Sequence, residues 1–183
     1  MLDWIALFIA TVFFTGFIPQ FVFKKSKGGA GTIGSLVSLS IAITLALQNA
    51  PAEMILVMAV GSYLLGIVVM DRAEKKILSL FGPQLNHRGE TVSHDFNQTC
   101  IDEVHGQFVA AIPVFMFPEL ELYTKIWLLV ASMLLFRLFD IWKPGPIKII
   151  EDGVPGPAGI MLDDTVAGLV SAAFVWLLIL LIK

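Results

Sequence analysis

The order of apolar and charged residues constrains this chain more than any other feature. Five long apolar runs and one short one follow one another, and brief stretches between them hold most of the charge. The runs cover residues 4–23, 33–50, 54–70, 104–117, 126–139 and 165–182. A straight helix needs about 20 apolar residues to cross a bilayer. Several runs are shorter, which predicts short helices that thin the bilayer or continue into amphipathic ends. The run 104–117 contains Pro113 and is followed by Pro118, so a re-entrant half-helix is the alternative to a crossing there. The first run has Asp3 where a cleavable signal carries basic residues, its apolar stretch is too long, and no small-residue cleavage site follows. It reads as a retained helix.

Composition agrees. Only 15% of the 183 residues are charged, against about 25% in soluble domains. Hydrophobic residues make up 57%, and the mean hydropathy is +0.84. Ordinary soluble folds and disordered chains are excluded. Twelve basic against 15 acidic residues leave no polyanion footprint, which excludes a nucleic-acid binder. Cys100 is the single cysteine, so no internal disulfide or cysteine-built zinc site exists. The expected fold is an all-α polytopic membrane protein. It has about six membrane helices, some short and one a candidate re-entrant helix. Residues 1–183 form one domain, with a polar cytoplasmic insertion at about 71–103.

Six crossings place the loops alternately on two sides. Ten of the 12 Lys and Arg residues fall on the side of loops 24–31, 71–103 and 140–164, which the positive-inside rule assigns to the cytoplasm, with both termini outside. Of the 15 acids, 11 fall on that side too. Four segments there could carry chemistry. The first is Gly28, Gly29, Ala30, Gly31, Thr32, Ile33, Gly34 and Ser35. Its glycines allow tight turns, Thr32 can cap the next helix, and free N–H groups at a helix start favour an anion. A flexible loop with an ordinary cap is the simpler account. The second holds Asp95, Asp102, Glu103, His105, Gly106 and Gln107, with the acid pair at a helix start, where capping alone would favour them. The third holds Arg137, Asp140, Trp142, Lys143, Pro144 and Pro146. Arg137 and Asp140 share a helix face, and a local interfacial ion pair is the simpler account. The fourth holds Gly159, Asp163, Asp164, Ala167 and Gly168. Two aspartates open the last helix where one would serve as a cap, and the small residues permit close packing.

Asp102, Glu103, Asp140, Asp163 and Asp164 thus put five carboxylates at three helix ends on one face. Such a group repels itself at a low-dielectric boundary unless a cation joins it. Oxygen-only ligands suit Mg²⁺, Mn²⁺ or Ca²⁺. Arg137 and Lys143 suit phosphate oxygens. Together they point to phosphoryl chemistry on a lipid head group. His105 reads as a hydrogen-bonded packing residue, and His87 and His94 as solvated. Cys100 lacks an electropositive setting for a nucleophile. A divalent-cation transporter would need acids near the midplane, which the runs lack. A lipid phosphotransferase would share the site but differ in product. A structural subunit would leave the acid cluster without a purpose.

These segments resemble the phosphatidylglycerophosphatase A family. The resemblance rests on Gly31, Thr32, Ile33, Gly34 and Ser35; on Asp95, Asp102, Glu103 and Gly106; on Phe136, Arg137, Phe139, Asp140, Ile141, Lys143, Pro144, Pro146 and Ile147; and on Gly159, Ile160, Met161, Asp163, Asp164, Ala167 and Gly168. Gly145, Pro157 and Ile33 depart from the family pattern, and none removes a carboxylate or a cation. The resemblance implies Mg²⁺-dependent removal of phosphate from phosphatidylglycerophosphate, giving phosphatidylglycerol, in the bacterial cytoplasmic membrane. No obligate protein partner is evident. With it, Glu103, Asp140, Asp163 and Asp164 become candidate metal ligands, with Asp102 beside them. Asp102 and Asp164 become candidate catalytic carboxylates. Arg137 and Lys143 become both catalytic and substrate-binding, and Thr32 and Ser35 substrate-binding.

Overall fold

The computed structural model describes residues 1–19, 29–82, 84–85, 91–92 and 98–183. Lys24, Lys25, Lys27, Gly28, His87, Arg88, His94 and Asp95 lie outside the described residues. Seven helices are described: α1 (Leu2–Ala10), α2 (Ala30–Leu47), α3 (Ala52–Phe81), α4 (Ile101–Phe115), α5 (Leu122–Trp142), α6 (Pro146–Gly153) and α7 (Pro157–Ile182). A two-residue antiparallel pairing joins β1 (Gln84–Leu85) to β2 (Thr91–Val92).

Four helices, α2, α3, α5 and α7, are long and apolar enough to cross a membrane. Their outward faces carry exposed Val60, Leu64, Val68, Leu134, Leu138 and Leu180, as expected where lipid is the solvent. The first run differs from the expected crossing, and the fourth is short, as expected. The first run breaks after α1, where Val12, Phe13 and Phe14 have φ of 48°, 59° and 63°. The Thr11 hydroxyl donates to Leu7 O and accepts from the Phe14 N–H, and the Thr15 hydroxyl donates to Val12 O. These side chains take over backbone groups that a continuing helix would use. The fourth run forms α4, whose 15 residues rise about 22 Å, short of a ~30 Å hydrocarbon core.

α4 is the centre of the fold. Thirteen of its residues are buried, and it packs against α2, α3, α5 and α7. Small residues on all sides allow this. A Cβ on Gly106 would collide with the Phe136 ring and come within 2.9 Å of Asp164 O. A Cβ on Gly168 would sit 2.6 Å from Gly106 O. The two glycines let α4 and α7 approach backbone to backbone.

The polar insertion begins as helix. α3 runs on to Phe81, about 45 Å in all. Val69, Met70, Ala73 and Ile77 form its buried face at helical spacing, and α1 packs along α3. Lys75 and Asp71 pair at 2.6 Å on the exposed side, and the Lys76 ammonium lies 4.4 Å from the Trp4 ring centre. The charge density of residues 71–81 reads as loop, but the apolar residues keep the helical period.

Candidate active site

The site is built where four helix ends meet. α2 brings its first turn, α4 its first turn, α5 its last and α7 its second. Asp102 and Glu103 lie in the first turn of α4, just after the cap residue Cys100, where the helix dipole favours negative charge. Asp163 and Asp164 differ from expectation. α7 starts at Pro157, a favourable first helical residue, so the two aspartates stand about two turns inside it rather than opening it. Capping therefore does not explain them. Thr32 also differs, because α2 starts at Ala30 after Gly29. Thr32 is exposed inside the first turn and does not cap. Ser35 is buried, and its hydroxyl donates to Gly31 O at 3.0 Å.

Gly31 explains why the α2 segment belongs here. A Cβ at that position would collide with Glu103 Oε1 and come within 2.8 Å of Arg137 Nη1. The backbone of α2 thus forms one wall of the acid cluster, and any larger residue would displace the carboxylate.

Arg137 and Lys143 each hydrogen-bond one carboxylate of the five. Arg137 Nη1 donates to Asp140 Oδ2 at 2.6 Å and lies 3.6 Å from Glu103 Oε1. Lys143 Nζ donates to Asp163 Oδ2 at 2.7 Å, and Asp163 Oδ1 accepts the Asp164 N–H at 2.9 Å. Lys143 ends α5 in the left-handed conformation, with φ 46° and ψ 58°. That conformation costs a non-glycine residue roughly 1–2 kcal/mol. Pro144 disfavours continuing the helix, and the turn carries Lys143 back to Asp163.

Asp102, Glu103 and Asp164 form a compact group. One oxygen from each of Asp102, Glu103 and Asp164 lies within 4.8 Å of the others. Glu103 Oε2 and Asp164 Oδ2 are buried and accept no hydrogen bond. At an effective dielectric near ~20, each charged pair at this spacing repels by roughly 3 kcal/mol. Buried carboxylate oxygens with unused lone pairs, gathered without nitrogen or sulfur donors, fit a hard divalent cation such as Mg²⁺. Arg137 Nε is buried and likewise without an acceptor, so the guanidinium retains a donor for an incoming anion.

Other groups are excluded or placed around this core. Burial pushes the Cys100 thiol well above its ordinary value, and the Glu103 and Asp102 charges push it further. It stays a thiol and is no nucleophile. Gln107 Nε2 donates to Ser132 Oγ at 3.0 Å, tying α4 to α5 one layer deeper. Beside the site, an apolar groove of about 480 Å³ runs between α1, α2, α3 and α4, with Ile101 and Val104 of α4 on its wall. Sequence reading missed this groove and the roles of Gly31 and Gly106 in close packing, while the close packing it expected at Gly168 is present. A helical glycine among bulky residues was the available signal.

Fold and site together define a helical membrane protein with a buried carboxylate centre at one end of its bundle. The family model for phosphatidylglycerophosphatase A matches residues 85–179. The chain belongs to the phosphatidylglycerophosphatase A family. Phosphatidylglycerophosphatase A of Escherichia coli strain K12 is 36% identical over 84 residues, covering 45% of this chain and 44% of that protein. The protein of the same name from Haemophilus influenzae is 35% identical over 85 residues, covering 45% and 47%. The chain thus spans less than half the length of the curated relatives it matches. No solved structure matches it. The matched stretch holds all five carboxylates with Arg137 and Lys143, and leaves Gly31, Thr32 and Ser35 outside.

Proposed function

We propose that this chain hydrolyses the phosphomonoester of phosphatidylglycerophosphate, releasing phosphatidylglycerol and inorganic phosphate. The observation that supports this most is the buried Asp102, Glu103 and Asp164 group beside Arg137 and Lys143, in a chain of this family. Asp102, Glu103 and Asp164 would hold Mg²⁺, with Asp140 and Asp163 supporting them through the two cations. When bound, the metal supplies positive charge that neutralises the phosphomonoester and stabilises the transition state.

The chain's own groups do the rest. Arg137 and Lys143 share their donors between their carboxylate partners and the non-bridging oxygens, stabilising charge as it develops. Asp102 or Asp164 takes the proton of the attacking water. The water oxygen bonds to phosphorus, the bond from phosphorus to the glycerol oxygen breaks, and that oxygen takes the proton from the same carboxylate, which returns to its charged form. The acyl chains lie in the apolar groove and the surrounding bilayer. Thr32, on the exposed face of the first turn of α2, meets the head group at the membrane surface. Ser35 supports the Gly31 wall from one turn deeper. The lysine and arginine distribution supports a cytoplasmic face for this end, in the bacterial inner membrane.

The test is phosphate release from phosphatidylglycerophosphate by the purified chain in detergent, with Mg²⁺ and with chelator. Metal-dependent release that disappears in an Asp163→Asn/Asp164→Asn double variant is the expected result. No release by folded protein with either Mg²⁺ or Mn²⁺ overturns the reading.

A further inference from the structure

His105 takes no part in the steps above, yet it is buried among three helices. Its Nδ1 lies 2.9 Å from Ala59 O of α3, and its Nε2 lies 2.8 Å from Thr165 Oγ1 of α7. A carbonyl oxygen only accepts, so Nδ1 carries a proton. The Thr165 hydroxyl also lies 2.6 Å from Met161 O, one turn back in α7. The Tyr63 ring packs against the imidazole with centres 5.2 Å apart. One side chain of α4 is therefore fastened to the backbone of α3 and to a side chain of α7.

The position of this fastening matters. Thr165 follows Asp164 directly, and His105 stands two residues after Glu103. The bond crosses from α4 to α7 within one helical turn of the place where their carboxylates converge. Those carboxylates repel one another, and the repulsion acts to part α4 from α7. The close contact at Gly106 and Gly168 lets the helices approach but supplies no directional bond. A hydrogen bond in an apolar setting does, because losing it leaves Nε2 of His105 buried without a partner.

We infer that the His105–Thr165 hydrogen bond is a strut. It holds Asp164 within reach of Asp102 and Glu103 before a cation arrives, and so sets the affinity of the site for a divalent cation. His105 and Thr165 are positioning residues. The inference rests on the proposed cation role of the three carboxylates.

The test is Mn²⁺ binding, read by loss of the free-ion paramagnetic signal, on the full-length chain in detergent without substrate. Thr165→Val and His105→Leu should each raise the dissociation constant by about 10–100-fold, the usual effect of losing a partner behind a metal ligand. Thr165→Ser, which keeps the hydroxyl, should bind as the parent does. The double variant should be no worse than the weaker single one, since both remove one bond. Phosphate release should need correspondingly more Mg²⁺ and recover its kcat at saturation. Unchanged Mn²⁺ affinity in folded Thr165→Val overturns the strut, as does equal weakening by Thr165→Ser. Thr165→Val removes only one hydroxyl and keeps the question open to refutation if His105→Leu fails to fold. Mn²⁺ binding that shifts as expected in a chain without phosphatase activity would support the strut and overturn the proposed reaction alone.

Discussion

The two ends of the helix bundle handle charge in opposite ways. At the far end, charges pair locally or face water, as exposed Glu53 and Glu121 do. Lys183 donates to Glu119 and lies 4.4 Å from the Phe117 ring centre. Lys125 is buried, but its ammonium reaches Pro118 O at 3.0 Å. Phe117 packs on Trp176, and Tyr123 on Trp127, as aromatic belts do at an interface. At the site end, five carboxylates meet two cations, and Asp102, Glu103 and Asp164 are packed into a common space. Exposed pairs of the first kind contribute little to stability. Buried like charges of the second kind oppose it. The far end is built to stay folded in a membrane, whereas the site end stores repulsion that a bound cation would relieve.

The sharpest way to break this contrast is Asp164→Asn. Phosphate release should fall by about 10²–10⁴-fold, the range for a lost acid–base group. The melting temperature in metal-free buffer should hold or rise, because one repelling charge disappears. A fall in both would place Asp164 in the scaffold instead. Next comes Gly106→Val, which drives a side chain into Phe136 and the α7 backbone. Overpacking of this kind costs about 1–3 kcal/mol, seen as a lower melting temperature together with lost activity. Gly61→Ala provides the control, since a Cβ there meets nothing within 4 Å. It should stabilise α3 by up to ~1 kcal/mol through helix propensity.

Lys143→Gly separates site from scaffold more finely. It removes the left-handed strain of roughly 1–2 kcal/mol and the ion pair with Asp163. Stability should stay near the parent value while phosphate release falls by about 10²-fold, the scale for one lost donor to a developing charge. The smallest effect is expected from Glu119→Gln at the far end. The hydrogen bond from Lys183 holds the Glu119 carboxyl below its ordinary value of 4.5. A depressed folded value contributes stability above 4.5 that disappears as the pH falls through that folded value. The variant should therefore melt slightly below the parent at neutral pH and match it in acid, with phosphate release unchanged.

Much of this site is legible in the sequence. Asp102, Glu103, Arg137, Asp140, Lys143, Asp163 and Asp164 all come together at one end, as their places at the ends of apolar runs imply. Helix boundaries are less legible, because hydropathy treats a buried carboxylate as loop. It starts the last helix at Thr165 and ends the third near Met70, whereas α7 begins at Pro157 and α3 ends at Phe81. The first run reads as one helix, because apolar content says nothing of threonine side chains turning the backbone at Thr11 and Thr15. Thr32 reads as a cap, because a cap is a matter of one residue's register.

The sequence alone determined that this chain is helical, that it belongs in a membrane, and that its acids and cations gather on one side. Those properties follow from hydropathy and charge, which are sums over residues. Only the tertiary structure decided which acids are partnered and which face one another. Arg137 and Lys143 hydrogen-bond Asp140 and Asp163, and Asp102, Glu103 and Asp164 come together. That division depends on distances across α4, α5 and α7, set by glycines that let backbones touch and by a short central helix.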